Sequence, residues 1–243
     1  LEDCETGIKS EIRAMAVVNA TGPWLDDFLT HASHHESSEH IRMVKGSHII
    51  VNKLFDHDRC YIFQNEDGRI IFAIPYENDF TLIGTTDVDF DGDPGQVSID
   101  QQEIRYLCQA ANEYFRQQIT ENEVVASYSG IRPLFDDGKN EAKAATRDYV
   151  LKVDGIDGEP PLLSIYGGKI TTYRKLAEAV MKKLGSYFPA MKQSWTESAS
   201  LPGGNFEPQG FDSLVSKVCA ACPVISEKHA TRLVRYYGTH AFD

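Results

Sequence analysis

Short apolar runs separated by turn residues fill the first two thirds of the chain, and amphipathic helical patterns fill the last third. Ala14–Ala20 is a brief apolar stretch ending at Thr21-Gly22, which predicts a buried strand of the parallel type. Pro23 suits the first position of a short helix from Trp24 to Thr30. After a polar, histidine-rich segment, Ser47–Asn52, Cys60–Gln64, Arg69–Tyr76 and Phe80–Thr86 are rich in Ile, Val, Phe and Tyr. Asn65–Gly68 and Tyr76–Asp79 supply tight turns between them, so the segment predicts an antiparallel meander. Asp100, with Glu103 three residues on, forms the signature of a capping box. Behind it, Ile104, Leu107, Cys108, Ala111 and Phe115 recur at helical spacing.

Val124–Leu134 returns to strand, and Tyr149–Val153 with Leu162–Tyr166 predicts a hairpin across residues 154–158. The second arm runs into Gly167-Gly168 and a helix over Ile170–Leu184, with Tyr173, Leu176, Ala177, Val180 and Leu184 on one side. Two further helices are predicted over Asp212–Ala221 and Ser226–Tyr237, and no internal repeat is visible. The beginning falls in the middle of a βαβ pattern and the end within a helical region. The chain therefore reads as a piece of a longer protein.

A length of 243 residues, 42% of them hydrophobic, allows one large core or two smaller ones. A formal net charge of −12 argues against sequence-independent nucleic-acid binding. No apolar run reaches the roughly 18 residues that a membrane span requires, and Leu1 is followed by acidic residues rather than a basic leader. Five scattered cysteines, Cys4, Cys60, Cys108, Cys219 and Cys222, suit a reducing compartment better than a disulfide framework. Cys219 and Cys222 have metal-like spacing but no second pair, and read as helix cysteines. His31, His34, His35 and His40 read as a solvated loop, so no metal site is expected.

The candidate chemistry lies elsewhere. Two glycines before a helix let backbone approach a ligand, and the helix start offers unpaired N–H groups to an anion. Neither Gly-x-Gly-x-x-Gly nor the P-loop pattern occurs. Lys169 stands where the glycine turn meets the helix. Its charge opposes the helix dipole, which makes sense beside an anionic ligand, although a solvated lysine has the same local sequence. Arg132, between Gly130 and Pro133, either grips an anion or faces solvent from an edge strand. His48, one of eight histidines, lies in a firmly patterned strand, where it serves as a proton acceptor or as a hydrogen-bonded core residue. Thr171 and Thr172 can cap the helix or bind a ligand. Arg174, Lys175, Lys182 and Lys183 make that helix basic, as on a solvated face or at an anionic membrane surface.

Val18–Trp24, Val44–Ile49, Ile83–Asp87, Tyr128–Leu134, Thr146–Tyr149, Gly167–Glu178 and Leu201–Gly204, in this order, resemble the flavin-dependent glycerol-3-phosphate dehydrogenases of the aerobic bacterial type. The Asn-Ala-Thr-Gly turn alone is widespread among flavoproteins. The Lys-Gly-Ser-His and Gly-Gly-Lys-x-Thr-Thr-Tyr-Arg pieces together are specific. The resemblance implies an α/β plus α+β architecture: part of a βαβ FAD-binding domain, an inserted antiparallel substrate domain, and the start of a helical cap. The expected domains are 1–30 and 146–204 for FAD, 31–145 for substrate, and 205–243 for the cap.

The resemblance also implies oxidation of sn-glycerol 3-phosphate to dihydroxyacetone phosphate, with hydride passing from carbon 2 to FAD and electrons then passing to quinone. Arg132 and Lys169 are expected to hold the substrate, with Arg147 as a further ligand and His48 as the base. Thr21, Gly22, Gly168, Lys169, Ile170 and Thr171 are expected to face FAD. The family's location is cytoplasmic, peripheral on the inner face of the membrane, and its oligomeric state stays open, a homodimer being one arrangement. Because the amino-terminal glycine fingerprint is missing, the chain alone is expected to bind FAD weakly and not to turn over. Two alternatives stand: a related flavin amine or amino-acid oxidase, and a non-catalytic binding module derived from this fold.

Overall fold

The computed structural model describes residues 2–32, 39–136, 148–154 and 160–243. They divide into two compact units, Leu1–Pro189 and Ala190–Asp243.

The first unit contains two sheets. The smaller holds β1 (Val17–Asn19), β9 (Leu162–Tyr166) and β8 (Val150–Asp154) in that spatial order. β1 runs parallel to β9, and β8 antiparallel to it. Parallel neighbours so far apart in sequence need a long crossover, and the intervening chain builds the second sheet. β1 is shorter and more open than its apolar pattern predicts: Val17 and Val18 are exposed at the sheet edge and only Asn19 is buried. The helix expected over Trp24–Thr30 is instead a 3-10 turn (Gly22–Trp24), one turn of α-helix (α1, Leu25–Asp27) and a π-turn (Phe28–Ala32). Leu25 and Leu29 still bury completely or nearly so, against Tyr166.

The larger sheet has six antiparallel strands. β3 (Tyr61–Gln64), β4 (Ile70–Tyr76), β5 (Phe80–Gly84), β2 (Ile41–Asn52) and β6 (Val88–Asp89) lie side by side, and β7 (Val124–Phe135) pairs along nearly the whole of β2. The meander is therefore present, tied together by a long central strand that the sequence pattern reveals only in its second half. One face of the sheet packs on α2 (Gln101–Asn112). Ile49, Val51, Ile71, Ala73 and Ile83 meet Leu107, Cys108, Ala110 and Ala111 there, with Ile104 and Phe115 at the margin. Each large aliphatic side chain so buried contributes about 1.5–3 kcal/mol. The capping box at Asp100 and Glu103 is formed in both directions, satisfying two of the helix's orphan N–H groups.

α3 (Tyr173–Leu184) follows a 3-10 turn over Ile170–Thr172 and packs Val180 and Leu184 on Leu163, with Leu176 at the margin. Tyr173 and Ala177 are exposed rather than part of the buried side, because the helix meets its sheet only over the later turns.

The second unit pairs α4 (Phe211–Ala221) with α5 (Glu227–Tyr237) around Leu214, Val215, Val218, Ala230 and Val234. Leu201–Gly204 lies against the end of α5. A Cβ on Gly203 would sit 2.1 Å from the Tyr237 carbonyl oxygen, and one on Gly238 would sit 2.0 Å from the Gly203 oxygen. Two glycines are needed for so close a backbone approach. Cys219 lies in α4 and Cys222 ends it, both half-buried and free. Among the described residues no helix is long and apolar enough to cross a membrane, and no three metal-ligating side chains gather.

Candidate active site

Alternation along β2 sorts its side chains onto two faces. Lys45, Ser47, Ile49 and Val51 are buried, Ile49 and Val51 within the core beneath α2. Val44, Gly46 and His48 point the opposite way, beside their register partners Arg132, Gly130 and Tyr128 on β7. His48 is also paired with Gly84 of β5. This second face carries the candidate chemistry.

Two glycines make room for it. A Cβ on Gly46 would lie 2.3 Å from an Arg132 guanidinium nitrogen. A Cβ on Gly84 would lie 2.2 Å from Cδ2 of the His48 ring. The arginine therefore lies flat across one glycine, and the histidine across the other. Arg132 donates to Thr85 Oγ1 at 2.8 Å, to Thr86 O at 3.3 Å and to Asp87 Oδ1 at 2.8 Å. Its side chain retains 29% exposure.

His48 stacks on Tyr128, with ring centroids 4.9 Å apart and planes 10° from parallel. Its buried Nδ1 has no hydrogen-bond partner among the described residues. Burial first, and then the nearby positive charge of Arg132, hold its pKa below the ordinary histidine value. The ring is thus neutral near pH 7 and able to accept a proton.

The two turns of the smaller sheet come up to β7 immediately beyond Arg132. A Cβ on Gly22 would lie 3.9 Å from Pro133 Cγ, and one on Gly167 would lie 3.7 Å from the Pro133 oxygen. The first turn is braced by Asn19, which is 1% exposed. Asn19 donates from Nδ2 to Leu25 O at 3.2 Å and accepts at Oδ1 from the Thr21 hydroxyl at 2.7 Å. That bracing accounts for the Asn-Ala-Thr-Gly sequence. In the second turn both glycines have positive φ, +70° at Gly167 and +106° at Gly168.

Gly168, Lys169, Ile170 and Thr171 are all exposed, Ile170 at 89%. Lys169 and Thr172, at the N-cap positions of the 3-10 turn and of α3, make no capping side-chain bond; Thr172 Oγ1 donates to Lys169 O at 3.0 Å instead. The threonines are therefore not caps. An uncapped helix start behind a glycine turn, next to a strongly exposed isoleucine, fits the polar edge and apolar ring of an isoalloxazine. These residues fit FAD at its flavin end.

His48 and Arg132 thus share one face, and Gly22 and Gly167 meet the same strand at Pro133. Lys169 follows Gly167 by two residues, but its ammonium lies 3.5 Å from Asp148 and its side chain is 53% exposed, while Arg132 engages Asp87. Each cation faces its own carboxylate. Arg147 lies outside the described residues, as do His34 and His35. His31 sits 2.9 Å from Asp27 and His40 3.6 Å from Asp26.

Three contributors to this face carry no role in the sequence reading. Tyr128 is the stacking partner of His48, whereas Thr85 and Asp87 hold Arg132. Asp87 stands within a motif, Ile83–Asp87, but nothing in a linear pattern says which cation a carboxylate meets.

Residues 2–174 match the family model described as DAO, FAD dependent oxidoreductase. Glycerol-3-phosphate dehydrogenase of Pseudomonas aeruginosa is 45% identical over 231 residues, covering 95% of this chain and 45% of that protein. D-erythritol 1-phosphate dehydrogenase of Brucella abortus is 42% identical over 239 residues, covering 98% of this chain and 47% of that protein. The solved glycerol-3-phosphate dehydrogenase of Bacillus halodurans, complexed with FAD, superposes with a TM-score of 0.81 at 29% identity over 99% of this chain and 46% of that structure. The chain spans about half the length of the curated relatives it matches.

Proposed function

The chain belongs to the FAD-dependent oxidoreductase family, and on that basis we propose that the whole protein oxidises sn-glycerol 3-phosphate at carbon 2 to dihydroxyacetone phosphate. The observation that carries this reading is the pairing, on one sheet face, of a guanidinium with a neutral histidine whose buried Nδ1 lacks a partner among the described residues.

Arg132, whose side chain keeps 29% exposure, holds a phosphate oxygen, and Lys169 supplies the second cation by exchanging Asp148 for substrate. A dianion at a partly closed site calls for two such groups. Across Gly84, the His48 ring takes the proton of the carbon 2 hydroxyl. FAD, when bound, supplies the acceptor for the hydride. Thr21, Gly22 and the Gly168–Thr171 turn orient it, and Arg147 adds a further substrate contact.

A phosphorylated polyol with a longer chain is the second reading. It is favoured by 42% identity to the D-erythritol 1-phosphate enzyme, close to the 45% for the glycerol 3-phosphate enzyme. Steady-state kinetics of the full-length protein with both phosphates and an artificial electron acceptor separate the two. A higher kcat/KM for glycerol 3-phosphate supports the first reading. Equal rates with unphosphorylated glycerol would remove both.

Quinone as acceptor and attachment to the inner membrane face extend the same proposal. α3 supports them with Arg174, Lys175, Lys182 and Lys183, against Glu178 near Lys175. Binding of the full-length protein to anionic vesicles is then expected to weaken as salt rises; absence of binding at low salt would end the membrane reading. The 243 residues alone are proposed to bind FAD weakly and to lack turnover, which flavin titration of the isolated chain checks.

A further inference from the structure

Three consecutive residues, Thr85, Thr86 and Asp87, accept hydrogen bonds from the Arg132 guanidinium. This short segment follows β5 and is not itself in a strand. What fixes it lies on the other side of the sheet. Thr86 is 1% exposed. Its hydroxyl donates to Glu103 Oε1 at 2.7 Å and accepts from the Ser47 N–H at 2.9 Å. Glu103, on α2, is buried as well. Its Oε1 also receives the Ser47 hydroxyl at 2.9 Å, and its Oε2 receives the Asp100 N–H at 3.1 Å and the Lys45 ammonium at 2.7 Å.

Capping α2 requires only the Asp100 contact. A carboxylate placed below the surface, with two donors on each oxygen and a buried lysine among them, is far more than a cap. Such a group is costly to bury unless every lone pair is engaged. Once engaged, it fixes its donors in place. Thr86 is the residue that joins the two faces, its side chain turned into this network and its carbonyl turned to Arg132.

We propose that Thr86 and Glu103 are positioning residues, which set the guanidinium of Arg132 for the substrate phosphate through the Thr85–Asp87 segment. The inference rests on the reading of Arg132 as a phosphate ligand. It extends that reading to a buried network touching neither substrate nor flavin.

The test uses the full-length holoenzyme with glycerol 3-phosphate as substrate and inorganic phosphate as competitive inhibitor. Thr86→Val removes the hydroxyl at nearly constant volume, and Thr86→Ser keeps it. Thr86→Val is expected to raise KM and the inhibition constant of phosphate about tenfold with kcat within about twofold, because uniform binding is what is lost. Thr86→Ser is expected to restore both. Glu103→Gln, which keeps the side-chain length and loses the charge, is the second variant and is expected to shift the same two constants. A loss of melting temperature or flavin content in these variants, with KM and phosphate inhibition unchanged, would overturn the proposal and leave the network merely structural. Arg132→Gln run in parallel separates the two layers. If it leaves KM unchanged, the reading of the site fails and the positioning role with it. If it raises KM while neither network variant does, only the positioning role fails.

Discussion

His48 and Gly46 make the residue-scale case. His48 is kept neutral by burial and by the charge of Arg132, so in the folded state it resists protonation below the ordinary histidine value of about 6.5. If it is the base, kcat/KM of the free enzyme should fall on the acid side with an apparent pKa below that value. Arg132→Gln should move this limb upward, because one of the two depressing causes is gone. The sign for stability is the same: below about pH 6.5 the unfolded chain takes up a proton that the folded one refuses, so stability falls as pH drops. A pH–rate profile whose acid limb does not respond to His48→Asn would remove the histidine from the chemistry. Gly46 tests the arginine differently. Gly46→Ala puts a methyl group where the guanidinium lies. The obstacle is the far end of a flexible side chain, so the melting temperature should move by no more than about 2 °C, while KM for glycerol 3-phosphate rises about tenfold. Of the proposed site, His48, Arg132 and a glycine turn could be named from the sequence. Tyr128, Asp87 and Glu103 could not, because their partners His48, Arg132 and Ser47 lie 45 to 80 positions away, and only strand register and the packing of α2 on the sheet bring them together.

At the scale of elements, the α2 helix with its capping box and the β3–β5 meander could be read nearly residue by residue, since burial follows period there. β2 could not. Its first half, Ile41–Gly46, interleaves Arg42, Lys45 and Gly46 with apolar residues, and the pattern reads as loop. Arg42 is held by both oxygens of Asp89 at 2.7 Å, and Lys45 by Glu103, so the strand tolerates charges that alternation alone would exclude. The Leu201–Gly204 motif shows the converse, a conspicuous sequence whose reason is packing. Gly203→Ala would drive a Cβ into the Tyr237 carbonyl at a residue with φ of +76°. It should destabilise the second unit by about 2–3 kcal/mol, while Gly210→Ala, whose new Cβ meets nothing closer than 3.8 Å, should be nearly neutral. Urea unfolding of the two variants checks the contrast; equal midpoints would mean that the close approach is not sustained in solution.

For the whole molecule, two sheets built from interleaved stretches of chain bring the glycine turns proposed to face the flavin up to the face proposed to hold substrate. Gly22 and Gly167 reach β7 beside Pro133, immediately after Arg132. The central claim is that Lys169 and Arg132, now engaged by Asp148 and Asp87 respectively, come together on one phosphate. A double-mutant cycle on the full-length enzyme tests it most directly, with Arg132→Gln, Lys169→Gln and both, measured on glycerol 3-phosphate and on glycerol. Each change is expected to lower kcat/KM for the phosphate ester by about tenfold or more, with glycerol much less affected and the two effects not additive. Unchanged kinetics of Lys169→Gln on glycerol 3-phosphate would contradict it.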